Sequence, residues 1–492
     1  MAATRRPAPE QRDCGYRRAT DPRTRRATVQ RRPRKLRRSW RGHVDGDGID
    51  RKGRVDQARV DDAVTALAWS LYQPGNAREL AELAVADTGL GNVESKVTKN
   101  TRKTFGTLRD LLRVRSVGVI EEDTGNGMVK YGKPVGVVAA VCPSTNPSAT
   151  AVNKAMMALK GGNAVIVAPS PTGAKTTQRT VDLMRAELAR AGHPEDLVQI
   201  LPQPVSKELT TELIARADLA VVTGSQNNVR RAMQSGTVSI GVGAGNVPVI
   251  IDDTADLDAA ARMIRMSKCF DNATSCSSEN SVIILDAVYD KAIAALEQAG
   301  AWRCSPDERE KVRATLWQNG ALNRAVIAKD AEVLADVFDL PEQARKAAFF
   351  LVEEEKIGGK HSFADEKLSL VLTVYRARDW ADAKRIAHDV LGVCGRGHSV
   401  GLHSTDRDRA ADLAQSAEVV RVLVNQPHTF GNGGSFENAL PFTLSMGCGT
   451  WAGNTIDENL NWRHFINVTH LVTTVAEDKP SEADLFGPYW ER

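Results

Sequence analysis

The chain has 492 residues, of which 42% are hydrophobic and 26% charged, enough for two or three domains with large cores. No apolar run reaches the roughly eighteen residues of a membrane span, and no charged start leads into a long apolar segment, so a cytoplasmic protein without a membrane partner is expected. Seven cysteines with neither a CxxC pair nor regular spacing argue against a disulfide framework and against a zinc cage, and no metal is expected.

The net charge of +4 divides unevenly. Residues 1–42 hold fourteen arginines and Lys35 against Glu10, Asp13 and Asp21, which makes this arm +12 and leaves −8 for the remainder. Residues 1–54 carry too little apolar surface to fold, and a disordered Arg-rich extension is expected. Three readings of the arm stay open: a tether to nucleic acid or an anionic surface, a transit segment lacking its amphipathic stripe, or an extension translated upstream of the true start. Asp45, Asp47 and Asp50 imitate a calcium loop, but Asp50 stands where such a loop needs Gly.

From Val55 the composition turns globular. Apolar residues at three and four spacing predict helices over 61–69 and 77–86, broken at Pro74-Gly75, and a third over 101–112. Short alternating runs at 117–121 and 128–131 flank Asn126-Gly127, a strong hairpin signal. The continuous apolar run 135–141 reads as a strand covered on both faces. A helix over 149–159, a strand over 164–168, a helix over 175–191 and a strand over 219–223 follow, which together mean a doubly wound parallel sheet. Ligands in such sheets sit beyond the carboxyl ends of the strands, where Asn146, Pro169, Ser170, Gly224 and Ser225 fall.

Gly173-Ala174-Lys175-Thr176-Thr177 imitates a phosphate loop but lacks the earlier Gly, and no GxGxxG opens the first sheet unit. Gly241-Val242-Gly243-Ala244-Gly245-Asn246 reads either as a tight turn or as backbone that a ligand approaches closely. The polar run from Phe270 to Glu279 closes on Cys276 and feeds the apolar run 281–285, so Cys276 stands on a loop before a buried strand. A lone cysteine there is either a nucleophile or a small buried hydrophobe. Helical segments are expected to fill much of 291–350, with a strand over 369–375 and a glycine and histidine loop at 395–403 that runs into another strand.

Four points in fixed order, the Asn146 loop, Gly224-Ser225, Gly243-Ala244-Gly245-Asn246 and Cys276, resemble the aldehyde dehydrogenase superfamily from about Val55 to the C-terminus. Phe270-Asp271-Asn272, Glu366-Lys367-Leu368-Ser369 and Gly447-Cys448-Gly449-Thr450-Trp451 bring it closest to the acylating, coenzyme A dependent branch, and residues 77–281 look most like its enzymes of sulfonate breakdown, which use NADP. The resemblance implies an α/β fold of two doubly wound parallel-sheet domains plus an oligomerisation hairpin near 115–133. It implies a cofactor-binding domain over 55–245, a catalytic domain over 246–425, and a return to the cofactor domain with an oligomerisation segment over 426–492. A homo-oligomer, dimer or tetramer, goes with it.

By the same resemblance Cys276 is the nucleophile and Asn146, with the Cys276 N–H, stabilises the oxyanion. Pro169, Ser170, Lys175, Gly224, Ser225, Gly243, Gly245 and Glu366 face the cofactor, NADP or NAD, with Glu366 on the nicotinamide ribose. Leu370 departs from the Pro usual in the broader superfamily. Hydrolytic members carry a Glu base where Val242 stands, and Val cannot activate water. The acyl group is therefore expected to pass to coenzyme A, giving reversible exchange between a small aldehyde and its acyl-CoA. His398 either assists the coenzyme A thiol or is a structural histidine. The competing readings are a hydrolytic dehydrogenase, a short-chain acylating one such as an acetaldehyde enzyme, and nucleic-acid binding through the arm.

Overall fold

The computed structural model describes residues 56–490; the expected extension and the acidic imitation of a calcium loop lie outside the described residues. Asp56 caps α1 (Gln57–Tyr72) by accepting from the Ala58 N–H, and Pro74 opens α2 (Pro74–Thr88), where its missing N–H costs nothing. The third helix, α3 (Val93–Leu112), begins well before Thr101. Its cap is Asn92, whose side chain accepts from the Ser95 N–H at 2.9 Å.

The Asn126-Gly127 signal forms its hairpin from β1 (Gly118–Asp123) and β2 (Met128–Pro134), with Gly127 at φ 60° in the turn. Five parallel strands follow: β3 (Val137–Val141), β4 (Ala164–Ala168), β5 (Val198–Ile200), β6 (Leu219–Val222) and β7 (Ser239–Gly241). Their order, β5-β4-β3-β6-β7, starts from the middle and winds both ways. The intervening helices α4 (Pro147–Lys160), α5 (Ala174–Arg190), α6 (Lys207–Arg216) and α7 (Gln226–Gln234) supply the crossovers.

A second, seven-stranded sheet is also entirely parallel. It contains β8 (Val247–Ile251), β9 (Glu279–Leu285) and β10 (Ala301–Arg303), then, beyond the two-residue hairpin β11 (Trp317–Gln318) and β12 (Ala321–Leu322), β13 (Phe349–Glu353), β14 (Val371–Ala377), β15 (Gly397–His403) and β16 (Val419–Val424). Its order is β10-β13-β14-β9-β8-β15-β16. One expectation is extended here and one is corrected. Residues 291–350 contain helices but also β10 and the start of β13, because Phe349 and Phe350 belong to an apolar run, buried on both faces, whose pattern suits strand and buried helix alike. His398, expected in a loop, is the second residue of β15.

Only residues 242–246 separate β7 from β8, so the carboxyl end of the first sheet runs directly into the amino end of the second. The loop after β3 carries Asn146 and the loop before β9 carries Cys276, and both lie at this junction. The chain then returns: Ile456, Leu460 and Phe465 enter the core of the first sheet, and β17 (Ile466–Val472) pairs antiparallel with β2. No helix among the described residues is long and apolar enough to cross a membrane. Because Phe465 is fully buried at this return, Phe465→Ala is expected to cost about 3–5 kcal/mol, measured as a lowered urea midpoint.

Candidate active site

The cysteine loop begins with three consecutive non-glycine residues of positive φ, Asp271 at 50°, Asn272 at 53° and Ala273 at 59°. Such backbone costs about 1–3 kcal/mol per residue and persists only where contacts over-determine it. The contacts are present. The Asp271 carboxylate, with no exposed surface, accepts from Lys99 Nζ at 2.6 Å, Thr274 Oγ1 at 2.7 Å, Lys96 Nζ at 3.0 Å and the Asn92 N–H at 3.0 Å. Asn272 donates to Asp330 Oδ1 at 2.8 Å and accepts from Asn92 Nδ2 at 3.3 Å. Gly91 is required alongside, because a Cβ there would stand 1.8 Å from Asp271 Oδ1. Burial pushes the Asp271 carboxyl up, but Lys99 and Lys96 outweigh it and hold the group below its ordinary value.

Asn146 is the residue before α4, whose first position is Pro147, and its side chain does not cap that helix. Its Oδ1 instead accepts from Lys99 Nζ at 2.7 Å, so one ammonium group ties Asn146 to the cysteine loop. Neither Asn146 Nδ2 nor the Cys276 N–H donates a hydrogen bond within the described residues.

The glycine turn makes room for protein. A Cβ on Gly245 would lie 1.9 Å from the Cys276 carbonyl oxygen, and one on Gly243 would lie 2.9 Å from Cys448 Sγ. On that side of the backbone the close neighbours are Cys276 and Cys448. Val242 is buried.

Beside Cys276 lies a small cavity whose lining includes Gly245, Lys268, Asn280, Glu366 and Leu368. Lys367, fully buried, anchors the Glu366 loop by donating to Asn280 O at 3.0 Å and Phe363 O at 2.6 Å. The Glu366 carboxylate accepts no hydrogen bond within the described residues. Burial, reinforced by Asp365, pushes it up to about 8. The Cys276 thiol is pushed up to about 12 by burial first and then by Glu366 and Cys448. The free site therefore holds a thiol rather than a thiolate.

Pro169 and Ser170 follow β4, with Ser170 Oγ accepting from the Gly173 N–H at 3.2 Å. Lys175 is exposed in the first turn of α5, while Arg179 is engaged by Glu79 at 2.6 and 3.2 Å. Gly224, at φ 153°, precedes Ser225, the residue before α7, whose side chain makes no capping bond. An uncapped helix start at the carboxyl edge of a parallel sheet suits a dinucleotide phosphate, and the Glu366 carboxyl, which accepts no hydrogen bond within the described residues, suits ribose hydroxyls, so these residues fit a nicotinamide dinucleotide.

His398 is 1% exposed. Its Nδ1 lies 2.8 Å from Ser399 Oγ, which lies 2.9 Å from His428 Nε2, whereas His398 Nε2 has no partner within the described residues. Burial, with Arg421 and His428 nearby, holds His398 well below its ordinary value, so it is neutral. Arg421 Nη2 donates to His398 O at 3.2 Å and Gly447 O at 2.6 Å.

The geometry brings Cys276, Gly245 and Glu366 to one cavity and links Asn146 to the same loop through Lys99. Pro169, Ser170, Lys175, Gly224 and Ser225 lie at the carboxyl edge of the first sheet, outside that cavity's lining. Sequence reasoning missed Lys96, Lys99 and Arg421. The signal for the lysines was faint: two of them three residues apart, behind an Asn that caps a helix.

The sequence profile of the aldehyde dehydrogenase family matches residues 69–326, more than half of the chain. The chain belongs to the aldehyde dehydrogenase family. An acylating sulfoacetaldehyde dehydrogenase of Cupriavidus necator is 51% identical over 440 residues, 89% of each chain. An acetylating aldehyde dehydrogenase from Geobacillus thermoglucosidasius has a TM-score of 0.82 at 32% identity, over 87% of this chain and 94% of that one. A propionaldehyde dehydrogenase from Rhodopseudomonas palustris, solved with bound propionyl-CoA, has a TM-score of 0.76 at 25% identity, over 85% and 90% of the two chains.

For this aldehyde dehydrogenase the raised thiol gives a direct test. Alkylation of Cys276 by iodoacetamide in the cofactor-free protein should keep rising through about pH 10, because only the thiolate reacts. Glu366→Gln removes a negative charge beside the thiol and should react faster than wild type at about pH 9. A plateau reached below about pH 8 would contradict the account.

Proposed function

We propose that this aldehyde dehydrogenase oxidises sulfoacetaldehyde with NADP or NAD and transfers the acyl group to coenzyme A, reversibly. One observation carries the acylating reading: Val242, buried and unable to take a proton, stands where hydrolytic members of the superfamily hold the water-activating Glu. The 51% identity to an acylating sulfoacetaldehyde dehydrogenase supports both the reaction and the substrate.

In the proposed sequence the Cys276 thiol gives its proton to water as Sγ adds to the aldehyde carbonyl, and the developing oxyanion is met by Asn146 Nδ2 and the Cys276 N–H, two donors with no partner among the described residues. Glu366 holds the ribose side of the cofactor. The nicotinamide supplies the hydride acceptor and, when oxidised, a positive charge beside the thiol. The resulting thioester on Cys276 is attacked by the coenzyme A sulfur, and Cys276 leaves as the thiol. His398 Nε2, without a partner among the described residues, suits accepting a hydrogen bond from the coenzyme A thiol. Residues 55–245 form the cofactor-binding half, 246–425 the catalytic half, and 426–492 the return. The sheet β1-β2-β17, which exposes Leu471 and Val472, serves assembly into a dimer or tetramer.

Steady-state aldehyde oxidation should require coenzyme A and yield the acyl-CoA; equal turnover to free acid without it would establish hydrolysis instead. Acetaldehyde tested beside sulfoacetaldehyde separates the substrate readings by kcat/KM. Lys175 is the exposed cation beside the expected adenine ribose. Lys175→Ala should raise KM for NADP by about 10- to 100-fold, one charge-assisted hydrogen bond, and leave NAD unchanged.

A further inference from the structure

We propose that Lys99 is a positioning residue that decides which end of the Asn146 amide faces the aldehyde. The inference rests on Asn146 acting as the oxyanion donor and adds to it a reason for the amide's orientation. An Asn side chain presents an acceptor oxygen and a donor NH2 of nearly equal size, and rotation by half a turn exchanges them. Only the NH2 stabilises an oxyanion. An ammonium group has three donors and no acceptor, so the Asn146 atom 2.7 Å from Lys99 Nζ must be the carbonyl oxygen. The NH2 is thereby turned away from Lys99, and it donates no hydrogen bond within the described residues.

Lys99 is itself fixed. It is 5% exposed, and besides Asn146 it donates to Asp271 Oδ2 at 2.6 Å and Thr274 Oγ1 at 3.3 Å, which uses its three donors on three partners. Asp271 and Thr274 belong to the loop that carries Cys276, so the lysine sets the amide and the nucleophile in one frame. Lys96 steadies the same frame by donating to Thr145 O at 3.2 Å and Asp271 Oδ2 at 3.0 Å. With Lys99 removed, the Asn146 oxygen can face the oxyanion and repel it.

The test is a double-mutant cycle on acyl-enzyme formation, read as the first turnover of nicotinamide reduction, with Lys99→Met, Asn146→Ala and the pair. Lys99→Met is expected to slow this step by about 10- to 100-fold with KM for the cofactor unchanged. In the Asn146→Ala background the same change should cost clearly less, because only the loss of the Asp271 and Thr274 contacts is then left to act. Lys99→Arg, which keeps a donor-only cation, should recover most of the rate. Should Lys99→Met fail to fold, Lys99→Gln is placed in the same two backgrounds with the same non-additivity expected. Equal losses in both backgrounds would overturn the positioning role while leaving Asn146 as the donor. A fully active Asn146→Ala enzyme would overturn the oxyanion reading and this inference with it.

Discussion

Asp271 keeps a charge with no access to water because two lysines of α3 bring their ammonium groups to 2.6 and 3.0 Å from one of its oxygens. Removing one partner of such a buried pair typically costs about 3–5 kcal/mol, since the remaining charge is left uncompensated. That interaction carries more than local stability. It holds three strained residues in front of Cys276, and it fastens a helix packed against α1, α2 and α4 of the first half to a loop that opens a strand of the second sheet. The candidate active site lies on the seam, so the geometry of the cysteine depends on how firmly the seam is closed.

The same seam explains a chemical asymmetry. Around Cys276 the titratable groups are arranged to keep protons where they are: the thiol is raised, the Glu366 carboxyl is raised, and His398 is held neutral. Burial is the first cause in each case; Arg421 at Cys276 and Lys367 and Lys268 at Glu366 pull the other way without outweighing it, unlike Lys99 and Lys96 at Asp271. With Val242 at the glycine turn, the site offers no acid there to activate water. It can instead keep a thioester intact while a better nucleophile arrives, which is the behaviour an acyl transferase to a thiol requires.

Much of this was legible in the residues. Period-two and continuous apolar runs located β3, β4, β6 and β9, and Asn126-Gly127 located the hairpin, since each is a local pattern with a local cause. The strand containing Phe349 and Phe350 was not legible because burial on both faces erases the period that separates strand from helix. The glycine turn was legible as a close approach but not as to what approaches: Gly245 yields to the Cys276 backbone. Lys96 and Lys99 were invisible for a stronger reason. A lysine in a polar helix reads as solvated, and only the distant Asp271, more than 170 residues on, makes burial affordable.

The account stands or falls on what Cys276 carries once an aldehyde has been oxidised. Mixing enzyme, sulfoacetaldehyde and the oxidised cofactor without coenzyme A, then quenching and weighing the Cys276 peptide, tests this most directly. The account predicts one equivalent of nicotinamide reduced per site and a sulfoacetyl mass on Cys276 that persists until coenzyme A is added and then vanishes. An unmodified Cys276, with free acid accumulating and reduction continuing past one equivalent, would contradict it.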